Sequence, residues 1–115
     1  MKTLVEKRSR KHTRFGFYLV EDQVLFECSR PLDTDTWEWT SAKSYFRRSD
    51  FERGTRTLDH DRKCEITGTR GETLRLKVLP KGTVTLELWG GGTNNLVIAD
   101  LGIRPAALKF GQTAG

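Results

Sequence analysis

A chain of 115 residues, 36% hydrophobic and 30% charged, is long enough to bury one core without disulfides or metals and too short to need a second domain. It contains no apolar run of membrane-spanning length and no apolar segment of the secretory type, so the sequence predicts a cytoplasmic protein without a membrane partner. Two distant cysteines match no common zinc spacing and are expected to be buried free thiols, so neither a metal nor another cofactor is predicted.

The positive charge is concentrated at the start of the chain. Residues 1–14 contain six lysines and arginines against one glutamate, whereas the rest of the chain contains 14 residues of each sign, and the formal net charge is +5. The sequence therefore predicts a basic N-terminal segment, residues 1–14, followed by one charge-balanced β-rich domain, residues 15–115. Leu4 and Val5 are expected to open a short edge strand within the segment.

A pair of strands is predicted directly after this segment. The apolar side chains alternate at Phe15, Phe17, Leu19, Val24, Phe26 and Cys28. Pairing Leu19 with Val24 across a turn places Phe17 opposite Phe26, and a cross-strand aromatic pair adds to burial. Gly16 lies within the first strand and indicates a bulge or a close approach to the backbone.

Residues 37–56 contain two groups of aromatic side chains. Trp37 and Trp39, two residues apart, either close one end of the core or form a stacking platform. Residues 42–53 fit a short helix, with Ser41 and Gly54 as its caps, about as well as an extended strand. Residues 55–62 are expected to be an exposed strand or loop.

The most clearly predicted element is a hairpin in the second half of the chain. Apolar side chains alternate with polar ones at Leu74, Leu76, Val78, Val84, Leu86 and Leu88. The loop Pro80-Lys81-Gly82 fits a three-residue hairpin turn with a left-handed glycine. It sets a register in which Val78 faces Val84 and, on the other face, Arg75 meets Glu87.

Further strands are predicted at residues 63–67 and 96–99, on either side of the hairpin. The total is about seven strands joined by short turns, with at most one short helix. This pattern predicts a mainly β fold, an antiparallel small barrel or sandwich.

The sequence contains no recognisable arrangement of catalytic residues. In an extended chain, His60 would point away from both Asp59 and Asp61, which argues against a metal or acid–base site there. The glycine run at residues 90–92 lacks the lysine and the helix of a phosphate-binding loop. A non-enzymatic protein is therefore predicted.

Cations interleaved with aromatic side chains over residues 43–56 favour nucleic-acid binding; they are Lys43, Arg47, Arg48, Arg53 and Arg56 among Tyr45, Phe46 and Phe51. Guanidinium groups bind phosphate in bidentate fashion and aromatic rings stack on unpaired bases, so a single strand is expected in preference to a duplex. The predicted binding residues are Lys7, Arg8, Arg10, Lys11, Arg14, Arg47, Arg48, Trp37, Trp39 and Tyr45. The alternative interpretation of these groups is a solubilising tail and a solvated charged face over core aromatics.

A second interpretation of the same features is a protein-interaction or assembly module of the phage or mobile-element type. In it, a sheet edge or the tryptophan-bearing face would dock a partner, and the basic segment would contact an acidic protein. This interpretation predicts an oligomer that forms without nucleic acid.

The spacing Arg10-x-x-x-Arg14 at the entrance to a β-rich domain resembles the first motif of PilZ domains, six-stranded barrels that bind cyclic di-GMP. The nearest counterpart of their second motif, Asp/Asn-x-Ser-x-x-Gly, is residues 65–71. That stretch has glutamate first, threonine in place of serine, and its glycine one position late. The resemblance implies that Arg10 and Arg14 would contact the phosphate and guanine groups of cyclic di-GMP.

Overall fold

The computed structural model describes residues 2–7, 14–31, 39–91 and 95–108. These residues form two four-stranded antiparallel sheets, each a simple meander. The first sheet contains β1 Lys2–Lys7, β2 Arg14–Val20, β3 Gln23–Pro31 and β4 Trp39–Arg47, in that order. The helix α1, Arg48–Asp61, leads to the second sheet of β5 Lys63–Thr67, β6 Thr73–Val78, β7 Val84–Trp89 and β8 Leu96–Ile98. A short 3-10 helix, Pro105–Leu108, follows.

The mainly β, antiparallel fold predicted from the sequence is confirmed. The described residues form eight strands rather than about seven, and their sheets pack in a sandwich-like manner without closing into a barrel. The edge strand expected around Leu4 and Val5 is present as β1, paired with β2.

One hydrophobic core joins both sheets and the helix. At its centre the Phe17 ring lies 4.9 Å from that of Phe26 and 5.5 Å from that of Phe51, measured between ring centroids. The contact between Phe17 and Phe26 is the cross-strand pair that the sequence predicts. The contact between Phe17 and Phe51 shows that α1 packs on the inner face of the first sheet. Cys28 and Cys64 are buried thiols that do not form a disulfide with each other, and burial raises the pKa of Cys64 to about 11.

The hairpin β6–β7 has the predicted register. Val78 pairs with Val84 and Arg75 with Glu87. Gly82 has φ +97°, the left-handed conformation that the three-residue loop requires. β8 continues the meander at the predicted strand after residue 95.

The helix differs from the prediction in its position. Residues 42–47 are extended, because Ala42, Ser44 and Phe46 alternate inward along β4 and pair with β3 over its whole length. The helix then runs through residues 55–61, where an exposed strand or loop was predicted, and it buries Phe51 and Leu58. No helix in the described ranges is long and apolar enough to cross a membrane.

Two consequences of this shift correct further predictions. Gly54 is not the end of the helix but its closest contact with β5, since a methyl group there would collide with the Ile66 side chain. The helix ends instead at Asp61, and its C-cap is Arg62 with φ 66°.

His60 lies in the helix and does not point away from both carboxylates. Its Nδ1 lies 2.6 Å from Asp61 Oδ1. This hydrogen bond and the charge of Asp61 raise the pKa of His60.

A buried carboxylate connects the two sheets. Glu72, just before β6, is 2% exposed, and its Oε2 accepts a hydrogen bond of 2.5 Å from Ser44 Oγ of β4. Its Oε1 accepts one of 2.7 Å from the backbone N–H of Arg70. Burial acts to raise the pKa of Glu72, but these hydrogen bonds outweigh it, and the pKa lies below its usual value.

Candidate functional site

The structure describes six of the ten residues that the sequence predicts to bind nucleic acid. Arg14, Tyr45, Arg47 and Arg48 are described with their side chains, while Lys7 and Trp39 are described as the last residue of β1 and the first of β4. The other four, Arg8, Arg10, Lys11 and Trp37, lie outside the described residues.

Chain connectivity relates the two halves of this set. Lys7 pairs with Phe15, and Pro31 pairs with Trp39, so the β1–β2 and β3–β4 connections join strands at the same end of the first sheet. Residues 8–13 carry Arg8, Arg10 and Lys11, and residues 32–38 carry Trp37. Lys7, Arg14 and Trp39, which flank these connections, therefore lie at one end of one sheet.

The outer face of the first sheet carries a row of aromatic and apolar side chains. The strand register aligns Tyr18 of β2, Leu25 of β3 and Tyr45 of β4 in one row. Their side chains point outward, whereas the adjacent row of Phe17, Phe26 and Ser44 points into the core. Both tyrosines are half-buried, whereas Leu25 between them is only 4% exposed. We call this surface the tyrosine face and define it by Tyr18, Leu25 and Tyr45 with the neighbouring Arg14, Glu27, Lys43 and Arg47.

The ring of Tyr18 lies flat along its own strand because residue 16 is glycine. A Cβ atom at position 16 would lie 2.6 Å from Tyr18 Cζ, which is closer than two non-bonded carbon atoms approach. The close backbone approach that Gly16 indicates in the sequence is therefore the aromatic ring two residues later, and the β2–β3 register continues past Gly16 without a bulge. The ring of Tyr18 therefore packs beside Gly16 on the outer face of the sheet.

Three cations surround this row. The side chains of Arg14, Lys43 and Arg47 are 54%, 59% and 68% exposed, respectively. Each pairs with a carboxylate: Arg14 with Glu6 at 3.3 Å, Lys43 with Glu27 at 3.4 Å, and Arg47 with Asp50 at 3.7 Å. Exposed pairs of this kind contribute roughly 0 to 1 kcal/mol, so the cations can exchange these partners for a phosphate at little cost.

A cleft lies where β4 ends at Arg47 and α1 begins at Arg48. Arg47 and Arg48 line an open cleft of about 530 Å³ together with Asp22, Gln23, Ser49 and Glu52. Arg48 Nε lies 2.9 Å from Glu52 Oε1 within the helix, and the charges of the lining residues balance. Phe46 and Phe51, which the sequence places among these cations, are fully buried in the core. The predicted cluster over residues 43–56 therefore contributes only Lys43, Tyr45 and Arg47 to the tyrosine face.

Tyr18, Leu25, Glu27 and Lys43 are the members of the face that the prediction omitted. Pairing Phe17 with Phe26, which the sequence does predict, already places Tyr18 opposite Leu25 on the outer side. The extension of this row to Tyr45 requires the β3–β4 register, which has no turn signal comparable to that of the β6–β7 hairpin.

The outer face of the second sheet differs in character. Its central row reads Glu65, Arg75, Glu87 and Val97 across the four strands. Arg75 Nε lies 3.1 Å from Glu65 Oε1. Trp89 and Val97 are exposed by 36% and 45%. Alternating charges and two scattered apolar side chains make this face a suitable control surface for the first.

No protein-family model, curated protein or solved structure was found to match this chain. Within residues 2–7, 14–31, 39–91 and 95–108, no three histidine, cysteine or acidic side chains converge as metal ligands would.

Proposed function

We propose that this protein is a non-enzymatic module that binds single-stranded nucleic acid on the tyrosine face. The observation that carries the proposal is the row of Tyr18, Leu25 and Tyr45 across three neighbouring strands, with exposed cations beside it. Tyrosine rings stack on unpaired bases whatever their sequence, and each such contact contributes about 1 to 3 kcal/mol. In a duplex the faces of the bases are already stacked, so a single strand is the ligand that this surface suits.

Phosphate neutralisation is assigned to the predicted basic residues. The β1–β2 connection, residues 8–13, follows Lys7 and contains Arg8, Arg10 and Lys11 in its sequence, and Arg47 lies at the opposite end of the sheet. A nucleic-acid strand that crosses the tyrosine face would therefore meet cations on both sides of the tyrosines. Trp39 begins β4 at the end of the sheet where β1 ends, and Trp37 and Trp39 are assigned further stacking contacts.

Substitution of the tyrosines by leucine tests this proposal. Neighbouring strands lie about 4.8 Å apart, so Tyr18 and Tyr45 are separated by roughly 10 Å and act on different bases. Tyr18→Leu and Tyr45→Leu should each weaken binding of a labelled oligonucleotide about tenfold in fluorescence anisotropy. Trp89→Leu, on the outer face of the second sheet, is the matched control and should leave affinity unchanged. Equal effects of all three substitutions, or no binding by the wild type at low salt, would refute the proposal.

A second candidate function is the assembly module. The observation in its favour is the exposure of Trp89, at the end of β7, and of Val97, in the short edge strand β8. It predicts a defined oligomer in sedimentation velocity without nucleic acid, which Trp89→Leu would dissociate. The basic segment would then contact an acidic protein partner.

The cyclic di-GMP hypothesis gains less support. The described strands form two open sheets rather than the six-stranded barrel that the resemblance implies. Arg14 begins β2 in the first sheet, whereas residues 65–71 end β5 and turn toward β6 in the second. Calorimetry with cyclic di-GMP tests this hypothesis, which predicts binding by the wild type and weaker binding by the control variant Arg10→Ala.

A further inference from the structure

A small polar pocket adjoins the ring of Tyr18 on the tyrosine face. Its volume is about 80 Å³, and Arg14, Glu27 and Ser29 line it beside Tyr18 and Gly16. Arg14 is paired with Ser29 in one row, and Gly16 with Glu27 in the next. A guanidinium group and a carboxylate thus border one recess on the outer face of the first sheet.

Building on the single-strand binding proposed above, we propose that this pocket makes the tyrosine face selective for guanine. Guanine presents two adjacent acceptors, O6 and N7, to which an arginine donates in bidentate fashion. On its other edge it presents two adjacent donors, N1–H and the N2 amino group, which a carboxylate accepts in the same fashion. Adenine, cytosine and uracil lack that pair of adjacent donors and would leave one carboxylate oxygen without a partner.

The existing ion pairs of Arg14 and Glu27 are compatible with this role. Arg14 Nη2 contacts Glu6, and Glu27 Oε1 contacts Lys43. A guanidinium group has five N–H donors and a carboxylate has about four acceptor sites, so each side chain can retain its partner while it binds a base.

The test uses oligouridine strands of about 12 nucleotides, within the range that a small domain covers, with a few uridines replaced by one other nucleoside. The wild type should bind the guanosine-containing strand about tenfold more tightly than the adenosine- or cytidine-containing strand. Inosine lacks only the 2-amino group of guanosine, and 7-deazaguanosine lacks only N7, so each should reduce that preference. Both comparisons use the unaltered protein and do not depend on the folding of a variant.

Glu27→Gln assigns the preference to the pocket. The variant should still bind oligouridine but should no longer distinguish guanosine from inosine, while Glu87→Gln on the second sheet should behave as the wild type. Equal affinity of the wild type for all strands would overturn the guanine inference and leave single-strand binding intact. A preference for guanosine over inosine that survives in Glu27→Gln would also overturn the guanine inference. Absence of binding to every strand at low salt would instead remove the proposed function itself.

Discussion

At the scale of single residues, Glu72 shows how one buried carboxylate connects the two sheets. Its two oxygens accept hydrogen bonds from Ser44 and from the backbone of Arg70. Glu72→Ala should lower the free energy of unfolding by about 2 kcal/mol, because the buried Ser44 hydroxyl and the partly buried Arg70 N–H both lose their acceptor. Glu72→Gln should cost less, since an amide can accept from Arg70 N–H and donate to Ser44 Oγ.

The pH dependence of this effect follows from the lowered pKa of Glu72. The ionised carboxylate stabilises the fold fully above its unfolded-state pKa, near 4.5, and this contribution is lost as pH falls through the lower folded-state pKa. Urea unfolding at a series of pH values should show the gap between wild type and Glu72→Gln closing below that value. A gap that stays constant down to the acid transition would contradict the assigned ionisation.

At the scale of elements, the first residue of interest is the N-cap of α1. Arg47 occupies that position with extended backbone angles and no side-chain hydrogen bond to the helix, although Asp50 follows three residues later. Arg47→Ser should raise the free energy of unfolding by about 1 kcal/mol, because serine and Asp50 then form a capping pair. The same change should reduce the salt dependence of log affinity for a single strand by about 0.7, the contribution of one phosphate contact.

Opposite effects on stability and binding make this variant informative. Arg75→Ser removes the same charge from the second sheet and should leave the salt dependence unchanged. If Arg47→Ser stabilises the helix without any change in the salt dependence, Arg47 makes no phosphate contact.

Elements also differ in how far the sequence predicts them. The β6–β7 hairpin was predictable in register because alternation and the left-handed Gly82 specify the same pairing. The boundary between β4 and α1 was not, since Ala42, Tyr45, Phe46 and Ser49 fit a helical period and only pairing with β3 selects the extended form. Gly54 was misassigned as a cap because close packing against Ile66, a long-range contact, leaves no local signal.

The candidate site was predicted in part for a related reason. Tyr45 and the cations are recognisable from residue type alone. Tyr18 and Glu27 acquire their significance only from cross-strand neighbours, and the pocket between Arg14 and Glu27 exists only once the β2–β3 register is set.

At the scale of the whole molecule, the two sheets have different tasks in this account. The second sheet and α1 contribute most of the buried side chains of the core. The first sheet presents the tyrosine face and joins the basic segment, which contains the whole chain's excess of positive charge. Loss of Arg8, Arg10 and Lys11 together should therefore reduce the salt dependence of log affinity by about 2 without changing the fold.

The most direct measurement is a titration of the isotopically labelled protein with a guanosine-containing single strand, followed by amide chemical shifts in NMR. The account predicts that the largest shifts map to Tyr18, Leu25, Glu27 and Tyr45 and to residues 8–14, while Lys77, Glu87 and Val97 on the second sheet stay unchanged. Shifts centred on the second sheet, or none at low salt, would contradict it.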